Sequence, residues 1–585
     1  MAASSARRGI WIGLLAVVVL LVGLGVWFAL SARTAVNEMT VARDSLMAAR
    51  DAVADGQPQQ ARTFVTAASD AAGRASDRVN GPLWNVAAAI PGLGDTPQTA
   101  QAVATSLDQT LTALQPLTEQ LDVLDPTSLI SEGTVDVSAI QSALPAMKEA
   151  APGVDEAVAT VQDAPVDGMV LPQVRTAAQD YTEELLGVQS TLSTGVTFGE
   201  IAGPLLGADG PKRYFVGILN PNEARGTGGF MGSWAIVSAK DGKVTVDQVG
   251  SNTQIPDLTA LPAGLSDGFV ERYRDDPTLV GNMNLSPNFP DTAKIWLAAW
   301  RQKTGERLDG AIAADVVALG DLVEASGAQV PLPNGTSLTG DQLADFAIKG
   351  IYVQFPTAAQ VAERKAYQDA IVRTAVEVTT QAPNPEGMAE AMGKGLSEGR
   401  IVVWSADPKV EKKLVAAGVG GSLAVADGHN VQFVALNGSG SKLDAFLERS
   451  LTYEVGRCLN TDERVKSTVT VELENAIALG ERPPEYMRSG IGRDGTTNVI
   501  LAQFHLPNGA DIEKVTVTGK SVSWFPFTES GRPSAMVDVT LPPREPVSVA
   551  VRFTEPASDK AADVAVQPLA TDQPTQAMDA GCTER

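Results

Sequence analysis

The sequence predicts an α+β multidomain chain with an apolar N-terminal span, a helical bundle or stalk, a mixed α/β middle domain and a C-terminal antiparallel β-sandwich. Three observations predict it. Residues 10–30 form an uninterrupted apolar run; from about residue 36 to 192 apolar side chains recur three and four apart; beyond Gly203-Pro204 they fall into short runs separated by turns. At 585 residues the chain exceeds what one hydrophobic core organises, so several domains are expected. Their expected bounds are 1–9 for a cytoplasmic tail, 10–30 for a transmembrane helix, 31–200 for the stalk, 201–450 for the middle domain and 451–585 for the sandwich.

The run from Ile10 to Leu30 carries no charge and is long enough to cross a hydrocarbon core of about 30 Å as a helix. Arg7 and Arg8 precede it, which places the short N-terminus in the cytoplasm and everything beyond Arg33 outside. A cleaved signal peptide competes with this reading, because Ala29-Leu-Ser31 offers small residues; the apolar segment is longer than the roughly 7 to 15 residues of a signal core and favours a retained anchor. The chain is therefore expected to be a single-pass bacterial cell-membrane protein whose partner is the lipid bilayer through one helix, with its bulk extracytoplasmic.

Val36, Met39, Ala42, Leu46, Ala49 and Val53 form one helical stripe, and Val103, Leu107, Leu111, Leu114, Leu117, Leu121 and Leu124 another. Breakers are expected at Gly81-Pro82, Pro91-Gly-Leu-Gly94, Asp125-Pro126 and Ala151-Pro-Gly153, with a kink at Pro116. Few acidic, basic or metal-binding groups share a face, so this segment reads as a spacer or as the contact for an envelope protein partner.

In the middle domain, apolar runs flank Lys240-Asp241-Gly242, and Asp-Gly between apolar runs predicts a hairpin. Upstream lies the loop Asn220-Pro-Asn-Glu-Ala-Arg-Gly-Thr-Gly-Gly-Phe230, which joins Asn222, Glu223 and Arg225 to glycines that permit close backbone approach. A polar connection from Ser251 to Pro290 contains Asp257, Asn284 and Ser286. A helix is expected from Pro290-Asp291 to Gly305, with Trp296 and Trp300 on one face, and its start is a candidate anion site. Ala311 to Ala314 reads as a buried strand, Asp315 as an N-cap, and Val316 to Ser326 as a helix ended by Gly327. Helices over Asp341 to Tyr352 and Thr357 to Thr380 follow. Alternation in Val469, Val471 and Leu473 and in Val547, Val549, Val551 and Phe553 predicts the sandwich strands.

A formal net charge of −24 argues against a nucleic-acid surface. Cys458 and Cys582 fit no metal spacing, and in an oxidising compartment they would pair with each other; the alternative is two unpaired thiols. No nucleophile elbow, zinc motif or P-loop is present, and His429 and His505 are the two histidines.

Arg213-Tyr-Phe-Val-Gly-Ile-Leu-Asn220 with Glu223-Ala-Arg225 and Gly228-Gly-Phe230, Ser286-Pro-Asn-Phe-Pro290 and Leu443-Asp-Ala-Phe446 resemble a bacterial envelope family known only as domain of unknown function 4012. The order of elements around Gly217, Asp309 to Asp315, Leu319 to Gly327 and Leu338-Thr-Gly340 is also similar to the LytR-CpsA-Psr phosphotransferases. Those enzymes are membrane-anchored outside the cell and move a polymer from a lipid pyrophosphate carrier to the cell wall, using arginines, acidic residues and a divalent metal. Carried to this chain, the resemblance implies Arg225 on the pyrophosphate, Asp257 in the following loop and Arg364 in the last charged helix. The chain departs from the arginine-rich pattern at Phe346-Ala-Ile-Lys-Gly-Ile351, and the expected Arg-Gln pair is reduced to Glu363-Arg-Lys365 with Gln368.

The resulting expectation is a protein of cell-envelope glycopolymer assembly, with metal-assisted phosphotransferase or ligase activity on a lipid-pyrophosphate-linked glycan. Arg225, Glu223 and Arg364 are its candidate catalytic residues. Asn220, Asn222, Gly228, Gly229, Asn284 and Ser286 are its candidate substrate contacts, and Asp257 and Asp291 would hold Mg2+. The alternative is a non-enzymatic envelope scaffold or glycan-binding protein. Structural explanations stand beside these roles: a loop-fixing salt bridge for Arg225 and Glu223, backbone geometry for Gly228 and Gly229, a first-turn charge for Asp291, and core packing for Trp296 and Trp300.

Overall fold

The computed structural model describes residues 28–579 except 29, 50, 53–56, 121–129, 132–133, 167, 381–383, 424–427, 460–463, 493 and 559. The expected anchor therefore lies almost entirely outside the described residues, as do Val53, Leu121, Leu124, Asp125-Pro126 and Cys582. Among the described residues no helix is long and apolar enough to cross a membrane. The chain divides into two compact units, 1–129 with 136–203, and 130–135 with 204–585.

The first unit is helical: residues 30–49, Pro58–Val79, Pro82–Ala88, Asp95–Thr118, Val137–Gln162 and Pro172–Leu205. Small residues let these helices approach closely. Ala42, Ala68, Ala71 and Ala72 are fully buried with Leu111, and Ala150, Val154 and Ala157 form a second cluster with Leu185. Val36, at 59% exposure, lies off the stripe predicted for it. Ala151-Pro-Gly153 does not break its helix, which runs through Pro152. A Cβ on Gly153 would sit 2.6 Å from Ala113 Cβ, so the absence of a side chain here lets the neighbouring helix approach closely. Packing overrides the local breaker signal. Pro116 lies inside the last turn of its helix, which ends at Thr118.

In the second unit a seven-stranded sheet is ordered β1-β2-β5-β4-β3-β6-β9. The strands are β1 (Ile130–Ser131), β2 (Thr134–Val135), β3 (Lys212–Arg225), β4 (Gly228–Lys240), β5 (Lys243–Ser251), β6 (Gly310–Asp315) and β9 (Ile401–Ser405). A separate hairpin pairs β7 (Val330–Pro331) with β8 (Ser337–Leu338). Only β3 and β6 pair in parallel within the large sheet. The β4–β5 turn has Asp241 at φ 49° and Gly242 at φ 81°, the left-handed pair that a two-residue hairpin demands. Asp315 accepts the N–H groups of Val317 and Ala318 at 3.0 and 2.8 Å and opens the helix Val316–Ser326, which Gly327 ends at φ 69°.

Trp296 and Trp300 are each 1% exposed and pack with Phe215, Trp234 and Phe289, so they are core residues. Their helix, Phe289–Thr304, begins inside the fold, with the Phe289 N–H donating to Gly421 O at 2.8 Å; that N–H is not open to an anion.

The sandwich begins earlier than residue 451, with β10 (Asn430–Asn437) in one sheet and β11 (Leu447–Leu459) in the other. It is mixed rather than purely antiparallel: Asp563–Val566 pairs in parallel with β10 and Thr575–Asp579 in parallel with β11. These late strands carry too little alternation to be read from sequence, and their neighbours hold them in place. Phe433, Tyr453, Val471, Phe504, Val549 and Phe553, all at 1% exposure or less, form the core between the sheets.

Candidate functional site

The end of β3 carries the polar residues singled out in the sequence, and three long-range attachments fix it. Asn220 Nδ2 donates to Ala347 O at 2.8 Å and Asn222 Nδ2 to Ile348 O at 3.1 Å, tying the strand to a π-turn over Phe346–Gly350. Ala224 N donates to Asp444 Oδ2 at 2.8 Å. Asp444 is fully buried and also accepts Asn437 Nδ2 at 2.6 Å and Asn498 Nδ2 at 2.7 Å. Burial raises its carboxyl above the ordinary range, and those donors and Arg225 oppose the shift.

Arg225 is 8% exposed and its donors turn inward: Nε to Gly281 O at 3.1 Å, Nη1 to Ala224 O at 3.0 Å and Nη2 to Glu223 Oε1 at 2.6 Å. The other oxygen of Glu223 pairs with Lys442 Nζ, so the carboxylate bridges two cations. Burial pushes the Arg225 guanidinium down to about 10 and the Lys442 ammonium down to about 8, with Asp444 opposing both. The loop-fixing explanation of the Glu223–Arg225 pair thus has a concrete geometry.

Next to this bridge is a pocket of about 90 Å³. Ile218, Val316, Phe346, Ile351, Ile371 and Val372 form its apolar walls, while Asn220, Asn222, Arg364, Lys365, Gln368 and Lys442 bring polar groups to the same space. Arg364 lies 3.6 Å from the ring centroid of Tyr486 and 5.1 Å from that of Tyr352; the two rings stack at 6.0 Å. The stacked rings fix a planar cation that a flexible lysine would not reproduce. Asn222 also donates to the Tyr352 hydroxyl at 3.1 Å, and Lys365 Nζ reaches Asn252 Oδ1 at 2.5 Å. Burial lowers the Lys365 ammonium, and Asp369 opposes this.

The remaining predicted residues lie elsewhere. Asn284 Nδ2 donates to Thr227 Oγ1 and Gly229 O at 2.9 and 2.8 Å, closing the β3–β4 connection. Ser286 Oγ donates to Glu529 Oε1 at 2.5 Å. A Cβ on Gly229 would lie 2.3 Å from the Asn220 carbonyl carbon, and Gly228 sits at φ 115°, so both glycines serve chain packing. Asp257 Oδ1 accepts Val280 N at 2.8 Å within the Ser251–Pro290 connection. Asp291 is fully buried and accepts Ser266 N at 2.8 Å, Ser266 Oγ at 2.5 Å and Asn288 Nδ2 at 2.7 Å. Neither aspartate lines the pocket, and among the described residues no group of three or more His, Cys, Asp or Glu is arranged to hold a metal ion. Both oxygens of Asp291 are engaged as fold contacts, whereas Asp257 is exposed and accepts on Oδ1.

Lys365, Lys442, Tyr352 and Tyr486 were not singled out from sequence as site residues. Lys442 directly precedes the quoted Leu443-Asp-Ala-Phe446 stretch, which was the available signal. A search of curated proteins finds no match to this chain. Over residues 209–352, which carry β3, β4, β5, β6 and the π-turn, the chain is similar to the family described as "Protein of unknown function (DUF4012)".

Proposed function

We propose that this chain is a membrane-anchored, extracytoplasmic protein of cell-envelope glycopolymer assembly that takes a lipid-pyrophosphate-linked glycan at the Arg364 pocket. One observation carries the reading: apolar walls and the cations Arg364, Lys365 and Lys442 converge on one space, the combination an isoprenoid chain ending in phosphate requires. At about 90 Å³ the pocket is smaller than the roughly 300–1,000 Å³ of small-molecule sites, so the reading requires it to open when the lipid-linked glycan binds.

In the transfer reading, an acceptor hydroxyl forms a new oxygen–phosphorus bond as the bond to the lipid phosphate breaks. The lipid monophosphate leaves with the electron pair and takes up the acceptor's proton. The three cations supply charge neutralisation, the main demand of phosphoryl transfer.

The test is Arg364→Ala in the full chain, measured as wall-attached polymer at matched protein level. Attachment is expected to fall by about 100-fold, the loss of one transition-state charge contact of about 2.7 kcal/mol. Unchanged attachment sinks the transfer reading. Retained attachment with lost glycan binding supports the non-enzymatic alternative.

The exported reading extends to the cysteines. In the parallel pairing of β11 with Thr575–Asp579, Leu451 faces Thr575 and Val455 faces Asp579; each pair is separated by as many residues as Cys458 and Cys582. Non-reducing peptide mapping is expected to recover a Cys458–Cys582 peptide, and Cys458→Ser to cost about 2–4 kcal/mol. Free thiols at both positions would remove the clasp.

A further inference from the structure

The second unit contains a larger cavity, of about 920 Å³, that the proposed function does not use. Arg400, Arg449 and Arg532 line it. Arg400 is neutralised by Asp315 at 2.7 Å and Glu398 at 2.9 Å. The other two arginines are not. Arg449 is 4% exposed and donates to the carbonyls of Gln567 and Thr571 at 3.2 and 3.1 Å, and its buried Nε has no acceptor. Arg532 is 3% exposed and donates to the carbonyls of Leu506, Asn430 and His505 at 3.0, 2.8 and 3.0 Å. Among the described residues neither has a carboxylate within ion-pair distance. Gln573 lines the same cavity, is 8% exposed, and has neither its amide nitrogen nor its amide oxygen partnered.

A buried cation without an anion costs several kcal/mol, and a buried amide left unpaired costs about 1–3 kcal/mol. Both residues, Arg449 and Gln573, line one cavity. Burial pushes the Arg449 guanidinium down to about 9, with the positive charge of Arg400 adding to the shift and Asp444 and Asp572 opposing it; burial likewise pushes Arg532 down to about 10, with Tyr453 and Asp563 opposing. A ligand that supplies an anion to Arg449 and hydroxyl groups to Gln573 relieves both. The volume lies within the roughly 300–1,000 Å³ range of small-molecule sites and exceeds what a bare inorganic anion fills. We infer that this cavity binds a sugar carrying one anionic group, a phosphate or a carboxylate, with the anion on Arg449 and the hydroxyl groups on Gln573.

The inference stands apart from the Arg364 pocket. Its test is calorimetric titration of the full chain in detergent at low salt with glucose 1-phosphate, glucuronate and glucose. At least one anionic sugar is expected to bind about tenfold or more tighter than glucose, which would identify phosphate or carboxylate as the group read. Arg449→Gln and Gln573→Ala are each expected to weaken that binding about tenfold in the folded variant, and Arg364→Ala to leave it unaltered. If Arg449→Gln fails to fold, Gln573→Ala and Ala565→Trp, which fills the cavity lining, carry the test. Anionic sugars that bind no tighter than glucose overturn the inference. So does wild-type affinity in every folded cavity variant.

Discussion

Asp444→Ala is expected to lower the stability of the second unit by about 4 kcal/mol. The carboxylate is fully buried and accepts three donors, Ala224 N, Asn437 Nδ2 and Asn498 Nδ2, at 2.6–2.8 Å. Each donor left unpaired costs about 1–3 kcal/mol, and relaxation or an entering water recovers part of the sum. Asp444→Asn, which keeps one acceptor oxygen, is expected to lose roughly half as much. Urea unfolding followed by the fluorescence of buried Trp296 and Trp300 measures both. A loss under about 1 kcal/mol for the alanine variant would show that β3 does not depend on this tie.

A second large effect is in pH. Glu529 is fully buried, with Ser286 Oγ at 2.5 Å and the Tyr273 hydroxyl at 3.0 Å. Burial raises its carboxyl from 4.5 to about 7; the bonds from Ser286 and Tyr273 and the charge of Arg272 oppose the shift, and Asp291 adds to it. His505 Nε2 lies 4.0 Å away and supplies no countercharge, since burial and the charges of Arg532 and Arg272 hold it well below its ordinary range. The folded carboxyl binds its proton more tightly than the unfolded one. Its stabilising contribution is therefore complete below about pH 4.5 and is lost as pH rises through about 7. The shift corresponds to about 3 kcal/mol. Glu529→Gln removes this titration, so the stability difference between variant and wild type should move in the variant's favour by that amount from pH 4.5 to 8. A pH-independent difference would refute the assignment.

Local chemistry was legible in the sequence. The Asp241-Gly242 hairpin, the Asp315 cap and the glycine stops at Gly305 and Gly327 each need only residues a turn apart, and all occur as expected. What escaped was non-local. Nothing near Glu223 announces Lys442, and nothing near Pro152 announces that Ala113 will press on Gly153 and keep the helix intact. The polar stretch Asn220–Arg225 was found, and it divides: Asn220 and Asn222 line the pocket, whereas Glu223 and Arg225 brace the wall behind it. Arg364 was reachable through a family resemblance, but its aromatic stack with Tyr352 and Tyr486 brings together positions more than a hundred residues apart.

The π-turn over Phe346–Gly350 acts as a phase shifter. A π-turn holds one residue more than an α-turn, and each α-helical residue advances the side chain by about 100°. Removing one residue there would restore a regular helix while rotating everything after it by about that angle, carrying Tyr352 away from Asn222 and Arg364. Length in this short segment is therefore constrained more tightly than composition: substitutions leave the angular register intact, and a single deletion resets it.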